Sequence, residues 1–519
     1  MHSQRVRWLA ALLGALAATG VVSCRKRLAA NKGNASPSAS RLSAGGNAGK
    51  ARMWVPPLTA IAVGASGIPW ATGRIYQPFD FGSGVVAPPE AGGIYLTKLD
   101  PMSCLATASF TFGAPGAKNL GSSGVAVASS GNVGVIGQFT GEIDFTDRNP
   151  EGSGPGGKPG TAGIDFLQSG AATHFFAVLD GGSTGAHATP IKAHMVDLGL
   201  GALLSMAANP IQNAFAICGK SDRGVPSWSD TGANKGLITG GKAVAGGDMD
   251  IVVAKVDAAT GAVLWGKQFG GTGNQVCDSV ALDNNGDVII AGGYAGALSF
   301  GTLALPTVAN PGLALLYVAR LDGTTGAVTA ARTWGAVGRS NAYGLAVDSK
   351  GNVVVGGVLG GNIDFGGGLS ITNYGWTDAF VLKLTPALAP VWAKSFGDDD
   401  FDQGVKGLGI TSQDNVVIAG TFQGSLGALG LASASRANSD AFTAELAAAD
   451  AAIISVQAYG DAAGAQGASG VAVAHAAQGG MANATFVGGT FWNTIAFGTT
   501  TLNAGGPRSY ASFVARLPR

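Results

Sequence analysis

Charged residues are scarce in this chain. Asp, Glu, Lys and Arg make up 12% of its 519 residues, and the formal net charge is +1. The body has no run of Lys and Arg interleaved with aromatic residues, so the composition argues against a nucleic-acid partner. Histidine occurs only five times and without metal-ligand spacing, and there is no Gly-x-Ser-x-Gly elbow. The sequence therefore presents no catalytic set that can be recognised from its motifs.

Long apolar runs are also missing, with one exception at the N-terminus. Arg5 and Arg7 precede an apolar stretch from Trp8 to Val22, which is too short to cross a bilayer comfortably. A basic start followed by such a stretch is typical of a signal peptide, here covering residues 1–23.

The end of this stretch, Val21-Val22-Ser23-Cys24, resembles the lipobox of bacterial lipoproteins. The resemblance implies that Cys24 is lipidated and holds the protein at a membrane without a transmembrane helix. An ordinary signal peptide with an incidental cysteine is the alternative. Arg25 stands where many enterobacterial lipoproteins retained in the inner membrane have Asp, so the expected location is the cell envelope, at the outer membrane rather than the inner. Residues 24–50 have the composition of a flexible tether.

Cysteine is rare. Beyond Cys24 the chain has only Cys104, Cys218 and Cys277. An odd number excludes a full disulfide framework and allows at most one bridge, without saying which pair forms it. The body must therefore be stabilised mainly by its own packing.

Glycine is abundant, with 85 residues, and it punctuates an internal repeat. Short β-branched or aromatic runs bounded by Gly, Asn or Asp are typical of strands and turns. One alternating run ends seven times, at Leu99, Leu179, Val256, Leu321, Leu384, Leu446 and Leu517. A marker glycine ends another run, also seven times, at Gly73, Gly137, Gly219, Gly292, Gly357, Gly420 and Gly489. Each unit predicts about four antiparallel strands.

The two ends of the chain complement each other. The last strand, Ser512–Leu517, has no partner after it, whereas the body begins with strands of the later type, Leu58–Val63 and Ile68–Gly73. Pairing of the two ends removes exposed sheet edges. We therefore predict an all-β fold over residues 51–519: a seven-bladed β-propeller of four-stranded antiparallel blades, closed by its N- and C-terminal strands.

The repeat resembles the bacterial β-propeller repeat called SBBP. The phrase that carries the resemblance lies in residues 257–292, where Asp257, Gly261 and Trp265 precede Phe269-Gly270-Gly271 and a Val-Ala-Leu-Asp strand. The resemblance implies a fold and a secreted or surface setting but no particular activity. The same stretch around Trp265 also resembles the tryptophan-docking phrase of pyrroloquinoline-quinone dehydrogenases, although packing between blades is the better interpretation.

One acidic segment is a candidate metal site. Asp398, Asp400 and Asp402 alternate as in calcium loops, but the glycine and glutamate of such loops are absent. Calcium is therefore a possible ligand, a solvated acidic turn is the alternative, and no other cofactor is expected.

The loops that follow the Phe-Gly position should emerge on one face of a propeller, where binding residues concentrate. On these loops the candidates for ligand contact are Asn119, Asn274, Asp278, Arg339 and Asn341.

The leading hypothesis for function is a non-catalytic binding or scaffold module for a glycan, peptide or protein. An envelope or secreted enzyme is the alternative, either like polysaccharide lyases and hydrolases or like quinoproteins. A structural or adhesive surface protein is a third.

Overall fold

The structure is a computed structural model. It describes residues 51–54, 57–88, 92–113, 118–145, 166–183, 188–209, 211–222, 227–229, 248–310, 313–335, 340–399, 402–433, 438–461, 464–474, 483–497, 500–505 and 509–517. These residues form seven antiparallel sheets of four or five strands, which we number as blades 1 to 7, and five two-stranded hairpins. The predicted seven-bladed β-propeller is confirmed.

Blades 1 to 6 follow one another along the chain, and the four main strands of each run in chain order from the centre outward. Blade 1 has Leu58–Val63, Pro69–Ile75, Gly93–Leu99 and Ala106–Phe112; blade 2 has Lys118–Val127, Val133–Asp144, Phe166–Leu179 and Pro190–Asp197, with Ser227–Ser229 added outside; blade 3 has Ala202–Ala208, Ala214–Ser221, Asp250–Asp257 and Val263–Phe269. Blade 4 has Ser279–Leu282, Val288–Tyr294, Leu315–Leu321 and Val328–Trp334; blade 5 has Asn341–Val347, Val353–Leu359, Asp378–Leu384 and Pro390–Phe396; blade 6 has Gln403–Ile410, Val416–Phe422, Asp440–Leu446 and Ile453–Tyr459.

In five blades the link between the second and third strands carries a small hairpin. The hairpins are Phe79–Asp80 with Val85–Val86, Ser299–Phe300 with Leu303–Ala304, Ile363–Gly366 with Leu369–Ile371, Ser425–Leu426 with Leu431–Ala432, and Thr494–Phe497 with Thr500–Asn503. The hairpin of blade 6 also contains a 3₁₀ turn, Gly427–Leu429.

Blade 7 contains strands from both ends of the body. Its strands from the centre outward are Gln466–Val473, Thr485–Trp492, Tyr510–Arg516 and Ala51–Trp54. The N-terminal strand pairs antiparallel with the C-terminal one, Ala51 opposite Ala515 and Trp54 opposite Ser512. Closure by the two ends is confirmed, but the expected N-terminal partner was wrong. Leu58–Val63 belongs to blade 1, because the strand Gly93–Leu99 follows it locally and completes that blade.

The first strands of all seven blades surround one central cavity of about 230 Å³. It is lined by Val, Ala, Leu, Ile and Met side chains and by Gly409, and Asn209 is the only polar residue among the described residues that line it. A wall this apolar favours exclusion of polar ligands from the channel itself. Polar chemistry is therefore expected at its ends.

Aromatic residues on the fourth strands link neighbouring blades. Trp265 of blade 3 is buried among blade 4 residues, and its indole N–H donates to the carbonyl oxygen of Gly323 at 3.1 Å. Trp392 of blade 5 donates in the same way to Ala448 of blade 6 at 3.2 Å. A buried indole contributes apolar area and needs a hydrogen-bond acceptor, and both conditions are met here. The interpretation of Trp265 as inter-blade packing is confirmed.

Three junctions between blades share an aspartate–glutamine pair. Asp250, Asp378 and Asp440 begin the third strands of blades 3, 5 and 6, and Gln275, Gln403 and Gln466 precede or begin the first strands of the next blades. The backbone N–H of each glutamine donates to the carbonyl of the residue before the aspartate, at 2.6, 2.9 and 2.7 Å. The corresponding aspartate positions of the other blades hold Gly93, Thr173, Leu315 and Ala511.

These aspartates explain the glycine of the Phe-Gly signature. A Cβ atom on Gly270, Gly397 or Gly460 would lie 1.8, 2.1 or 2.0 Å from the Oδ1 atom of the aspartate in the same blade. No side chain fits there, because the carboxylate already occupies the space. The glycine that follows the fourth strand is therefore a packing requirement of these three junctions.

The junction between blades 3 and 4 is also cross-linked. Cys218 and Cys277 form a disulfide, and Cys104 is buried and takes no part in this bridge. The prediction of at most one bridge among these three cysteines is confirmed, and the structure identifies the pair.

Candidate binding site at the channel mouth

Every first strand has a β-bulge near its start. At each bulge two residues oppose one residue of the second strand, and the extra residue is Thr59, Ser123, Leu204, Asp278, Tyr343, Lys406 or Ser469. In blade 4 both Asp278 and Ser279 oppose Ala291. Ser279 is its partner in the strand pairing, and the Asp278 N–H donates to the Ala291 carbonyl at 3.0 Å, so Asp278 is the extra residue. Bulges change the direction of a side chain and are frequent beside functional sites.

We call these seven residues the bulge ring. Each of them retains some solvent exposure, whereas the residue before each of them is buried. The first strands begin where the loops after the fourth strands end, so the ring lies near the starts of these strands. The lining of the apolar channel begins two or three residues further along each strand, and we call the end of the channel that faces the ring the channel mouth. This is the face on which the sequence places the ligand.

Blades 4, 5 and 6 supply the titratable side chains of the ring, Asp278, Tyr343 and Lys406. The Asn341 side-chain amide donates to Asp278 Oδ2 at 3.2 Å. The ammonium of Lys406 lies 3.9 Å from the centre of the Tyr343 ring. This is a cation–π contact, which stabilises the ammonium where water is partly excluded. Three adjacent blades thus bring an acid, an amide, a phenol and an amine together, and we call these four residues the mouth cluster.

Burial changes the proton affinity of the mouth cluster. It raises the pKa of Asp278 to about 6, against the lowering effects of the Asn341 hydrogen bond and of Lys220 and Lys406. Burial lowers the pKa of Lys406, which Asp402 and Asp278 partly oppose. Burial also raises the pKa of Tyr343 to about 12, with a further contribution from the charge of Asp278. Titratable groups with shifted pKa values at the mouth of a cavity are typical of functional sites.

Of the residues predicted from the sequence to contact a ligand, two belong to the mouth cluster and the others do not. Asp278 and Asn341 belong to it and touch each other. Asn274 is exposed on the preceding loop, where its Oδ1 accepts from the Met249 N–H at 3.1 Å. Asn119 is exposed at the start of blade 2 with a φ of 51°. Arg339, Asp400 and Cys24 lie outside the described residues.

Two aspartates of the predicted calcium segment make local hydrogen bonds. Asp398 accepts from the Gln403 side chain at 2.9 Å and from the Ser425 N–H at 2.6 Å, and Asp402 accepts from the Thr377 hydroxyl at 2.8 Å. No group of three or more His, Cys, Asp or Glu side chains in the described part of the chain has the arrangement of a metal site. A calcium site in this segment remains a prediction.

Sequence reasoning missed Tyr343 and Lys406. Both stand fourteen residues before a marker glycine, Gly357 and Gly420, as do Thr59, Ser123 and Asp278 before theirs. This fourteen-residue spacing is visible in the sequence, but the β-bulge is not. Without the bulge, Tyr343 and Lys406 are indistinguishable from ordinary residues of an alternating strand.

In the described residues no helix has the length and apolarity needed to span a membrane.

Comparisons with known proteins show distant structural likenesses only. No family model and no curated protein sequence matches the chain. A quinohemoprotein alcohol dehydrogenase from Comamonas testosteroni superposes with a TM-score of 0.41 at 12% identity, over 91% of this chain and 77% of that one. The quinohemoprotein alcohol dehydrogenase ADHIIG from Pseudomonas putida HK5 gives 0.37 at 9% identity, over 91% and 76%. Sqt1 from Chaetomium thermophilum gives 0.34 at 11% identity, over 88% and 86%. Likenesses this distant carry no argument about what the chain does.

Proposed function

We propose that this protein is a non-catalytic binding module, held at the bacterial cell envelope by a lipid on Cys24, and that its ligand docks at the channel mouth. The observation that carries the proposal is the bulge ring. A register irregularity repeated in all seven blades presents seven side chains at one opening, and three neighbouring blades use it for Asp278, Tyr343 and Lys406.

The chemistry of the mouth favours recognition of an uncharged polar group. Lys406 and Tyr343 can donate hydrogen bonds to a ligand, and Asp278 can accept them from one. The charges of the Asp278 carboxylate and the Lys406 ammonium nearly balance. The rest of the ring adds hydroxyls from Thr59, Ser123 and Ser469 above an apolar wall. An apolar cavity with a few convergent polar groups is the usual form of a ligand site, and sugar hydroxyls or peptide amides match these donors and acceptors.

Two features support an exported location. Residues 1–24 have the order of a signal peptide followed by a lipobox. The Cys218–Cys277 disulfide is of a kind that persists in oxidising compartments such as the periplasm and the cell surface.

The anchor is tested by replacing Cys24 with Ser in the producing bacterium. The variant should lose labelling by a radioactive fatty acid and leave the membrane fraction. Retention of the label by Cys24→Ser would refute lipidation at this residue.

The binding site is tested with the detergent-solubilised full chain on an array of neutral oligosaccharides and short peptides. A specific ligand should bind at least tenfold more weakly to Lys406→Met and to Asp278→Asn, because each change leaves a polar group of the ligand without its hydrogen-bond partner on the protein. Val85→Ala, at an exposed position in the blade 1 hairpin, is the control and should bind normally. A ligand whose affinity is insensitive to both mouth variants would place the binding site elsewhere.

A further inference from the structure

A second cavity lies outside the channel, at the junction of blades 5 and 6. Its volume is about 260 Å³, and it is lined by Tyr374, Ser395, Gly397, Asp398, Asp399, Gly427 and Ala428. None of these residues belongs to a first strand, so the cavity is separate from the channel mouth. Pockets for drug-sized ligands measure roughly 300–1,000 Å³, which makes this cavity suitable for a smaller group.

Two exposed aromatic side chains lie in the segment that borders this cavity. Tyr374, which lines it, is 55% exposed, and Trp376, two residues further along the chain and outside the lining, is 72% exposed. Between them Gly375 packs so closely on the cavity wall that a Cβ would lie 2.2 Å from the Asp398 carbonyl oxygen. Thr377, on the other side of Trp376, pairs with Asp402. The segment that carries both aromatic residues is therefore fixed against the acidic loop at two points.

The charge at this cavity is of one sign. Asp398 and Asp399 line it, and none of its lining residues is a lysine or arginine. The buried Asp378 lies behind it, where its Oδ2 accepts from the Tyr374 N–H at 2.7 Å and its Oδ1 packs on Gly397. Burial raises the pKa of Asp378, and repulsion from Asp398 and Asp399 raises it further. A cation bound here would relieve the repulsion of Asp378 by Asp398 and Asp399.

We propose that this cavity binds the alkylammonium group of a small molecule, with Tyr374 and Trp376 as the aromatic contacts and Asp399 as a charged one. Ammonium groups are attracted to the faces of Trp and Tyr, an interaction worth about 0.5–2 kcal/mol, and aromatic side chains recognise quaternary ammonium ligands in this way. Carboxylates at short range add a Coulombic attraction that weakens with salt. Anionic and neutral ligands gain neither contribution.

The test uses calorimetric titration of the detergent-solubilised full chain with choline chloride. Its uncharged isostere, 3,3-dimethylbutan-1-ol, has the same shape without the charge. We expect choline to bind at least tenfold more tightly than the isostere, and the difference to shrink at high salt. Trp376→Ala should weaken choline at least tenfold and Asp399→Asn about threefold, with unchanged thermal melting because both side chains lie at the surface.

A matched control is Trp492→Ala. Trp492 is another exposed tryptophan, in blade 7, and its ring packs on Tyr510. It should leave choline binding unchanged. Equal binding of choline and the isostere, or equal loss with Trp492→Ala and Trp376→Ala, overturns the proposal. Heat with calcium chloride and none with choline also overturns it and assigns the acidic loop to a metal instead.

Discussion

The blade junctions and the bulge ring are both built from equivalent positions, but they use their residues in opposite ways. The Phe-Gly glycines at three junctions are the same residue because each faces an aspartate oxygen that leaves no room for a Cβ. The ring positions hold Thr, Ser, Leu, Asp, Tyr, Lys and Ser, although the backbone bulge is the same in every blade. The same residue at equivalent positions, as at the junctions, indicates a packing requirement. The same backbone conformation with different side chains, as in the bulge ring, indicates a surface whose residues are suited to binding a ligand.

The largest effect is expected where the two regions meet. Cys277 is cross-linked to Cys218 and immediately precedes Asp278 of the ring. The two cysteines are 59 residues apart, and a loop of this length predicts a stabilisation of about 4 kcal/mol by chain entropy. Changing both cysteines to Ala should lower the free energy of unfolding by an amount of that order, measured by urea denaturation. Dithiothreitol should then have no further effect on the double variant. A wild type equally stable with and without dithiothreitol would contradict the prediction.

A smaller loss should follow from adding one methyl group to a junction. Gly397→Ala places its Cβ about 2.1 Å from Asp378 Oδ1, and overpacking of this kind costs about 1–3 kcal/mol. Gly427→Ala is the matched control, because a Cβ at Gly427 meets no described atom within 4 Å. Denaturation of both variants measures the difference. In an Asp378→Ala background the cost of Gly397→Ala should shrink, since the two sites are in contact. Equal costs for the two glycine variants would show that the carboxylate does not set the requirement.

The junction aspartates should also make stability depend on pH. Burial raises the pKa of Asp250 from the ordinary 3.8 to about 6, partly opposed by its hydrogen bond from Gln268. A carboxyl with a raised pKa in the folded state stabilises the fold most below pH 3.8, and this contribution is lost as the pH rises through about 6. Thermal melting of wild type and Asp250→Asn should therefore show the wild type losing stability relative to the variant between these values. A difference independent of pH would contradict the raised pKa.

The smallest effect on stability is expected at the ring. Lys406→Met and Tyr343→Phe change side chains that are partly exposed and carry no backbone hydrogen bond in the described structure. Each should alter the free energy of unfolding by about 0.5 kcal/mol or less. Urea denaturation of the two variants beside Gly397→Ala provides the comparison. A loss at the ring as large as that at the junction would mean that the bulge residues hold the blades together, and the contrast between the two regions would fail.

The fold was predictable because strands and turns leave local signals. Marker glycines such as Gly292 and Gly357, and runs such as Ile251–Val256, report period and strand identity directly. The closing strand was misassigned because Ala51–Trp54 is short and pairs only with a segment at the far end of the chain. Local patterns do not encode such long-range pairing.

The candidate site was predictable only in part, for a different reason. Asp278 and Asn341 stood out as polar residues after a Phe-Gly loop, but their contact with each other is a property of adjacent blades. Tyr343 and Lys406 interact across blades 5 and 6, and the bulges that turn them to the mouth depend on the register of pairing. Register is fixed by the whole sheet and not by the strand that contains the residue.

The closing strand has a mechanical consequence. Ala51–Trp54 is an edge strand held to its blade by four residue pairs, whereas the neighbouring strands of blade 7 share seven. Tension on the chain before Ala51 acts first on those four pairs, before it passes along the chain to Leu58–Val63 of blade 1. The seam is thus the element that yields first under load, and it can detach while Gln466–Val473, Thr485–Trp492 and Tyr510–Arg516 stay paired. Once this strand has detached, the chain transmits the force directly to Leu58–Val63, the innermost strand of blade 1, so continued pulling would act next on the wall of the channel.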